Sequence, residues 1–530
     1  MGSTSTDPSL ADRLADALPA QAGFKFYHIS TPPKRSPALF SAPPGAKPEK
    51  TYTESHFLNV SVRHGGEEVF IFAIEVLIYT TRRLTTIFVS KADSTGYLAL
   101  LKLGKGHSSP LRTIATSFLG YLVEKRQRKG IRLVLSLFAR ANSQYLFPGS
   151  VENKAKHVSD DRELVRWWCR VLDPVLAKYK ARGQEGERSA AQSDTTSQAY
   201  LIVPGEDTIV PYLPPHVRLD PARRARWTHG HPLLEIAKHP SAPPRCLVPH
   251  FPDDPKARFL DELDDELPDS STPSSQLQAS PSKRGNGHWR SVRSLEQFWE
   301  MMAFRQECSS GRLVGFIWVV FTPPEAEKAA SQDAHGSAPG SACEQDPQST
   351  PTSPSPSSKR KSSPHHARGR PMPRRRKKAL KGPIIPRTPK IKSASVALAS
   401  KSVPEESEYF IWPPSSRGEI VLAEKDYKKA AERLLALQFR NEETAVASTK
   451  TWVDEVAVLA HRGERWGQDV VGRKEPESPG VVQTTSSAVN TLGVKRKADA
   501  VAEAPEPSNG VNTLGSGLVK KKKKVQPQQA

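Results

Sequence analysis

The chain has 530 residues, a formal net charge of +21, 47 prolines and four cysteines. No apolar run reaches the roughly 20 residues of a membrane helix, and the N-terminus lacks a basic-then-apolar leader. Cys169, Cys246, Cys308 and Cys343 show neither close pairing nor metal-ligand spacing, which argues against a disulfide framework and a structural zinc and suits a soluble protein of a reduced compartment.

Taken in order, residues 8–18 have the Leu and Ala spacing of a helix, and 24–29 reads as a strand. After a Pro-rich loop at 31–48, the runs 57–62, 69–79 and 85–89 predict a three-strand meander turned by His64-Gly65-Gly66-Glu67. One acid, Glu75, interrupts the long apolar strand. Lys102 to Pro110 combines Gly, Lys, His and Ser ahead of a helix at 111–122. Such a loop offers N–H groups and positive charge to an anion such as a pyrophosphate. It lacks the Walker A spacing, and an ordinary solvated loop fits equally.

A strand at 132–138 leads to a helix start at Asp160, with Leu164, Trp167, Trp168, Val171 and Leu172 at helical spacing. Such a Trp pair ordinarily packs a core. A polar linker covers 183–198, 203–207 is turn-like, and 222–236 reads as irregular or a short helix. An acidic Ser/Pro linker runs to about 287, followed by a helix at 291–307 and a strand at 311–322. The domain limits expected are 1–322 for the main part, 323–404 for a disordered Ser/Pro/Lys/Arg-rich insertion, 405–463 for further helices of the same domain, and 464–530 for a disordered tail.

Charge follows these limits. Lys359 to Lys392 holds 14 basic residues and no acid, Lys495-Arg496-Lys497 adds three, and Lys520 to Lys524 adds five. Together they exceed the net charge, so the rest of the chain is close to neutral. In the tail, Val489-Asn490-Thr491-Leu492-Gly493 and Val511-Asn512-Thr513-Leu514-Gly515 each precede a basic run. This arrangement suits a docking element beside a nuclear import signal, whereas a bare charge run would be only a solvated tail.

The stretch Phe251-Pro252-Asp253-Asp254-Pro255-Lys256-Ala257-Arg258-Phe259 admits two readings. Asp254 before Pro255 is a good helix start. A carboxylate at the apolar rim of a pocket can also take a proton.

Together with Ile87 to Asp93, Ser143-Gln144-Tyr145-Leu146-Phe147-Pro148, Trp167-Trp168 and Val203 to Asp207, this stretch resembles the fungal histone H3 acetyltransferases of the regulator-of-Ty-transposition type. The segments occur in that family's order, and the resemblance covers about residues 10–325 and 405–461. It implies an α+β fold, with a central mixed β-sheet surrounded by helices, related to the CREB-binding-protein acetyltransferases. It implies acetyl-CoA as cosubstrate and no metal. The family's cofactor contacts fall on Ala92, Asp93, Ser94, Phe138, Asn142, His157, Val158, Ser159 and Trp167, with the pyrophosphate near Lys102, Gly104, Lys105, Gly106 and His107. The catalytic carboxylate falls on Asp254, with Asp253 beside it. Tyr145 and Trp168 line the tunnel for the substrate lysine, and Lys256 is the lysine the family acetylates on itself.

The activity so implied is nuclear transfer of acetyl to histone H3 (with H4), at position 56 of the histone, with N-terminal tail lysines as further candidates. Histone chaperones of the nucleosome-assembly and anti-silencing types assist, in replication-coupled assembly and the DNA damage response. Membrane attachment is not expected, and nucleic-acid contact would run through the basic segments. The alternative is a non-enzymatic chromatin adaptor using those segments on an inactive fold; intact motif residues favour the enzyme.

Overall fold

The computed structural model describes residues 7–104, 107–182, 194–267, 289–305, 312–326, 403–462 and 466–476. All of these fall in one compact unit, residues 1–478. Nearly all of the expected insertion, the tail repeats, and the basic runs Lys359 to Lys392, Lys495 to Lys497 and Lys520 to Lys524 lie outside the described residues.

Helix α1 (Leu10–Ala17) starts at Ser9, whose hydroxyl accepts the Asp12 N–H while Asp12 reaches back to Ser9, a reciprocal cap. Strands β1 (Gly23–Ser30), β2 (Lys34–Ser36), β3 (Thr51–His64), β4 (Glu67–Thr80) and β5 (Leu84–Ser94) follow. β3 to β5 are the expected antiparallel meander, and Gly65 and Gly66 turn the first hairpin at φ of 59° and 89°. β3 begins earlier than the run at 57–62 implied, because its polar residues have buried partners. Glu54 takes the Arg126 Nε–H at 2.5 Å, and His56 meets His28 at 3.0 Å.

Helix α2 (Pro110–Arg126) crosses over to β6 (Arg132–Ala139), which lies parallel to β5. Then come α3 (Asp161–Ala177), β7 (Lys180–Ala181), β8 (Thr196–Ile202), α4 (Pro215–Leu219), α5 (Pro221–Arg224), β9 (Trp227–His229), α6 (Leu233–Ile236), α7 (Pro255–Asp264), α8 (Leu295–Ala303) and β10 (Gly315–Thr322). After the insertion the chain adds β11 (Ile420–Val421), α9 (Glu424–Leu435), α10 (Glu442–Leu459) and β12 (Gln468–Val471).

Among the described residues twelve strands make one mixed sheet, with the main order β11-β1-β3-β4-β5-β6-β10-β8-β7. One core holds Ile114 and Phe118 of α2, Val165 and Leu172 of α3 and Trp452 of α10 against Ile74 and Val76 of β4. A second holds Leu260 of α7 and Phe298 and Trp299 of α8 against Val134 and Trp318. The fold is thus the expected α+β arrangement of a mixed sheet surrounded by helices.

Several expectations needed correction. The polar linker ends early: Thr196–Ile202 is a strand, alternately buried, whose partner β10 comes from much later in the chain. The stretch 222–236 contains a strand, β9, between two single-turn helices. Structure also continues past 463, since β12 pairs with β1 and closes that edge of the sheet. Both pairings join segments far apart in sequence, so no local pattern announces them.

Candidate active site

The parallel strands β5 and β6 end side by side, and the crevice beyond their C-terminal ends is where α/β sheets place ligands. A cavity of about 460 Å³ lies there. β5 gives it Val89 to Ser94, and β6 with its following loop gives Phe138, Arg140, Ala141, Asn142 and Tyr145. The loop at 155–159 supplies His157, Val158 and Ser159, and α3 supplies Leu164, Trp167 and Trp168. Asp160 caps α3 by accepting the Glu163 N–H, which starts the helix so that both tryptophans reach the cavity. The two rings pack edge to face, 4.8 Å apart, with Trp168 buried in the main core and also on the cavity wall. Core packing and site lining are therefore compatible.

Asp93 braces this wall. Its Oδ2 accepts the N–H groups of Tyr145, Leu146 and Phe147 at 2.7, 2.9 and 3.3 Å, and its Oδ1 meets the Lys156 ammonium at 2.9 Å. The carboxylate is thus engaged in holding the Ser-Gln-Tyr-Leu-Phe-Pro loop, and the residue lines the cavity at the same time. His157 is exposed and meets Glu163 at 2.8 Å.

Lys102, Gly104 and His107 are not among the residues lining the cavity, which this region reaches through Ser109 and Leu111. Lys105 and Gly106 lie outside the described residues.

The Asp-Asp-Pro-Lys segment divides its labour. Asp254 caps α7 by accepting the Lys256 N–H at 2.9 Å, with Pro255 in the first helical position. Its other oxygen meets the Lys256 ammonium at 2.5 Å, and both side chains are buried. The ammonium lies 4.1 Å from the Phe316 ring centre. Burial pulls the Lys256 pKa below the ordinary lysine value, and Asp254 opposes that shift only in part. Neither residue lines the cavity.

Asp253, at φ 58°, is half exposed and pairs at 3.2 Å with Lys91, a residue of the cavity wall. Burial raises the Tyr145 pKa, and the nearby Asp253 charge raises it further, so the phenol stays protonated. Lys91, opposed by burial, is still held above its usual value by Glu75 at 3.1 Å and by Asp253. Motif reading singled out neither Lys91 on the cavity wall nor Glu75 as its partner; the signal available was the lone acid in the apolar strand 69–79.

Among the described residues no group of three or more His, Cys, Asp or Glu is arranged to hold a metal ion. No helix there is long and apolar enough to cross a membrane. Cys169 and Cys246 are buried free thiols, and burial pushes both pKa values up. Neither is on the cavity wall; Cys308 and Cys343 lie outside the described residues.

The sequence model of the histone acetyltransferase KAT11-type domain matches residues 10–132 and 128–455. The chain is 41% identical to the histone acetyltransferase rtt109 of Aspergillus flavus, over 98% of this chain and 99% of that one. It is 35% identical to the histone acetyltransferase rtt109 of Schizosaccharomyces pombe, over 55% of this chain and 66% of that one. In fold it is similar to the crystal structure of Rtt109 from Aspergillus fumigatus, with a TM-score of 0.66 and 42% identity, covering 88% of this chain and 100% of that one. By sequence over nearly its full length and by fold, the chain belongs to the Rtt109 family of KAT11-type histone acetyltransferases.

Proposed function

We propose that the chain transfers acetyl from acetyl-CoA to histone H3, at position 56 of the histone, acting on chaperone-held H3 with H4 in the nucleus. The roles expected are replication-coupled nucleosome assembly and the DNA damage response. The observation that carries this reading is the convergence of Phe138, Tyr145, Trp167 and Trp168 on one cavity edged by the Lys91–Asp253 pair.

Acetyl-CoA supplies an activated thioester. The residues present fit it: Leu98, Leu111, Leu164 and Trp167 give apolar wall, while Arg140 gives positive charge and His157 a polar ring. Ser90 belongs to the wall, and its buried hydroxyl has no hydrogen-bond partner within the described structure, which suits a polar ligand. Ala92, Asp93, Ser94, Asn142, Val158 and Ser159 complete the holding set.

Tyr145 and Trp168 disfavour the charged form of an entering lysine, whose free pKa is about 10.4. Asp253 is the better placed carboxylate to accept its proton, since Asp254 is buried and spent on Lys256 and the α7 cap. Bound acetyl-CoA would supply the acetyl carbon, to which the neutral amine nitrogen would bond as the carbon–sulfur bond breaks; the second proton lost by the nitrogen would pass to the leaving thiolate. The absence of a thiol on the wall among the described residues favours this direct transfer over an acetyl-cysteine route. Lys256, buried and with a lowered pKa, is the proposed site of self-acetylation.

Mass-spectrometric mapping of H3–H4 after reaction, with and without an acidic histone chaperone, tests this function. Acetylation at position 56 that depends on the chaperone is the result expected; modification confined to other lysines would contradict the site choice. The basic run Lys359 to Lys392 is proposed to bind polyanions without joining the chemistry. Its affinity for DNA should fall about tenfold or more between 50 and 200 mM salt. Deleting it should leave transfer to a free H3 peptide unchanged.

A further inference from the structure

We propose that Glu75 and Tyr427, neither of which lines the cavity, are positioning residues for acetyl transfer. They fix the Lys91 ammonium at the cavity wall and, through it, the Asp253 carboxylate. The proposal deepens the reading of Asp253 as proton acceptor and rests on it.

Four side chains from four segments form one line. Tyr427 of α9 donates its hydroxyl to Glu75 Oε1 at 3.1 Å. Glu75 Oε2 takes the Lys91 ammonium at 3.1 Å, and the same ammonium meets Asp253 at 3.2 Å. Glu75 and Lys91 face each other across β4 and β5, at a break in register. Glu75 pairs with Lys91 and Val76 with Val89, so Ser90 is an extra residue on β5. Bulges of this kind re-aim side chains next to active sites. Here the bulge lies where β5 enters the cavity wall, and the residue just past it is Lys91.

A buried ion pair is commonly replaced by apolar residues of similar volume at no loss, and the rest of β4 from Val69 to Ile74 is apolar and buried. What the charges add is fixed geometry. Both Glu75 oxygens are engaged, so its carboxylate cannot turn away from Lys91 without losing Tyr427. Lys91, held from behind by Glu75, is kept within 3.2 Å of Asp253. The residue that closes this chain comes from α9, on the far side of the insertion. The segment after the insertion thereby belongs to the active site as well as to the core.

A double-mutant cycle on the full chain tests the idea, with kcat on an H3 peptide, CoA affinity by calorimetry and the thermal midpoint measured for each variant. Tyr427→Phe removes one hydroxyl and should lower kcat about fivefold, with CoA affinity kept within about twofold. Lys91→Met should lower kcat about a hundredfold, and Lys91→Arg, which keeps the cation, should recover part of it. Once Lys91 is gone, Tyr427→Phe should cost nothing further, because its effect passes through Lys91. Full additivity of the two losses, wild-type kcat in Tyr427→Phe, or a loss carried entirely by CoA affinity would overturn the proposal. If Tyr427→Phe fails to fold, Glu75→Gln replaces it in the same cycle. Asp253→Asn, measured alongside, reports separately on the proton acceptor: coupling of Tyr427 to Lys91 with a fully active Asp253→Asn would overturn only that assignment.

Discussion

Asp253→Asn is expected to lower kcat by about 10²–10⁴-fold, the range for loss of a general base. The fold should survive. Asp253 is exposed and sits in the left-handed region, which Asn adopts as readily as Asp. Lys91 keeps Glu75 as its counter-ion, so no buried charge is stranded. The thermal midpoint should therefore move by no more than about 2 °C. CoA affinity should be unchanged, because the residue is not on the wall. A folded Asp253→Asn enzyme with wild-type kcat across pH would remove it from the mechanism.

Asp254→Ala should act on stability instead, costing about 3–5 kcal/mol in a denaturant titration. It strands the Lys256 ammonium between Phe316 and Trp318 and removes the α7 cap. Asp254→Asn keeps the cap, and in combination with Lys256→Met it should restore most of the loss. The pair also gives a pH signature. Lys256 has a folded pKa below its unfolded one, because burial outweighs Asp254. Between those two values the unfolded chain binds the extra proton, so stability rises with pH through this window and levels off above about 10.5. As pH falls through the folded value the same increment is fully lost. The wild-type curve minus that of Lys256→Met should show this rise, and protein acetylated at Lys256 should lack it. A flat difference curve for unmodified protein would mean that the buried amine is not destabilised.

Much of the cavity wall was legible because its residues cluster in short runs with recognisable order. Ala92 to Ser94 end β5, Tyr145 lies in the loop after β6 and the Trp167-Trp168 pair lies within α3, so each falls on one local segment that a motif can place. The α7 start was legible for the same reason, since Asp254 and Pro255 act only on their own helix. The division between Asp253 and Asp254 was not. It depends on the left-handed turn at Asp253, which sends one carboxylate to Lys91 and leaves its neighbour buried. The Glu75–Lys91 pair depends on strand register and a bulge, and Tyr427 reaches it from more than 300 residues further along. Strands β8 and β12 were hidden for a related reason: their partners β10 and β1 supply the apolar neighbours that their own sequences lack.

The proposed cosubstrate site is the cavity at the ends of β5 and β6, with Trp167 proposed on the cofactor and Trp168 and Tyr145 on the substrate lysine. Calorimetric titration of CoA into the wild type and three alanine variants tests it most directly. One CoA should bind per chain. Trp167→Ala should weaken binding by about tenfold or more, the worth of a buried aromatic contact. Trp168→Ala and Tyr145→Ala should bind CoA within about threefold of wild type while losing turnover. Equal losses of affinity in all three, or wild-type affinity in Trp167→Ala, would contradict the account.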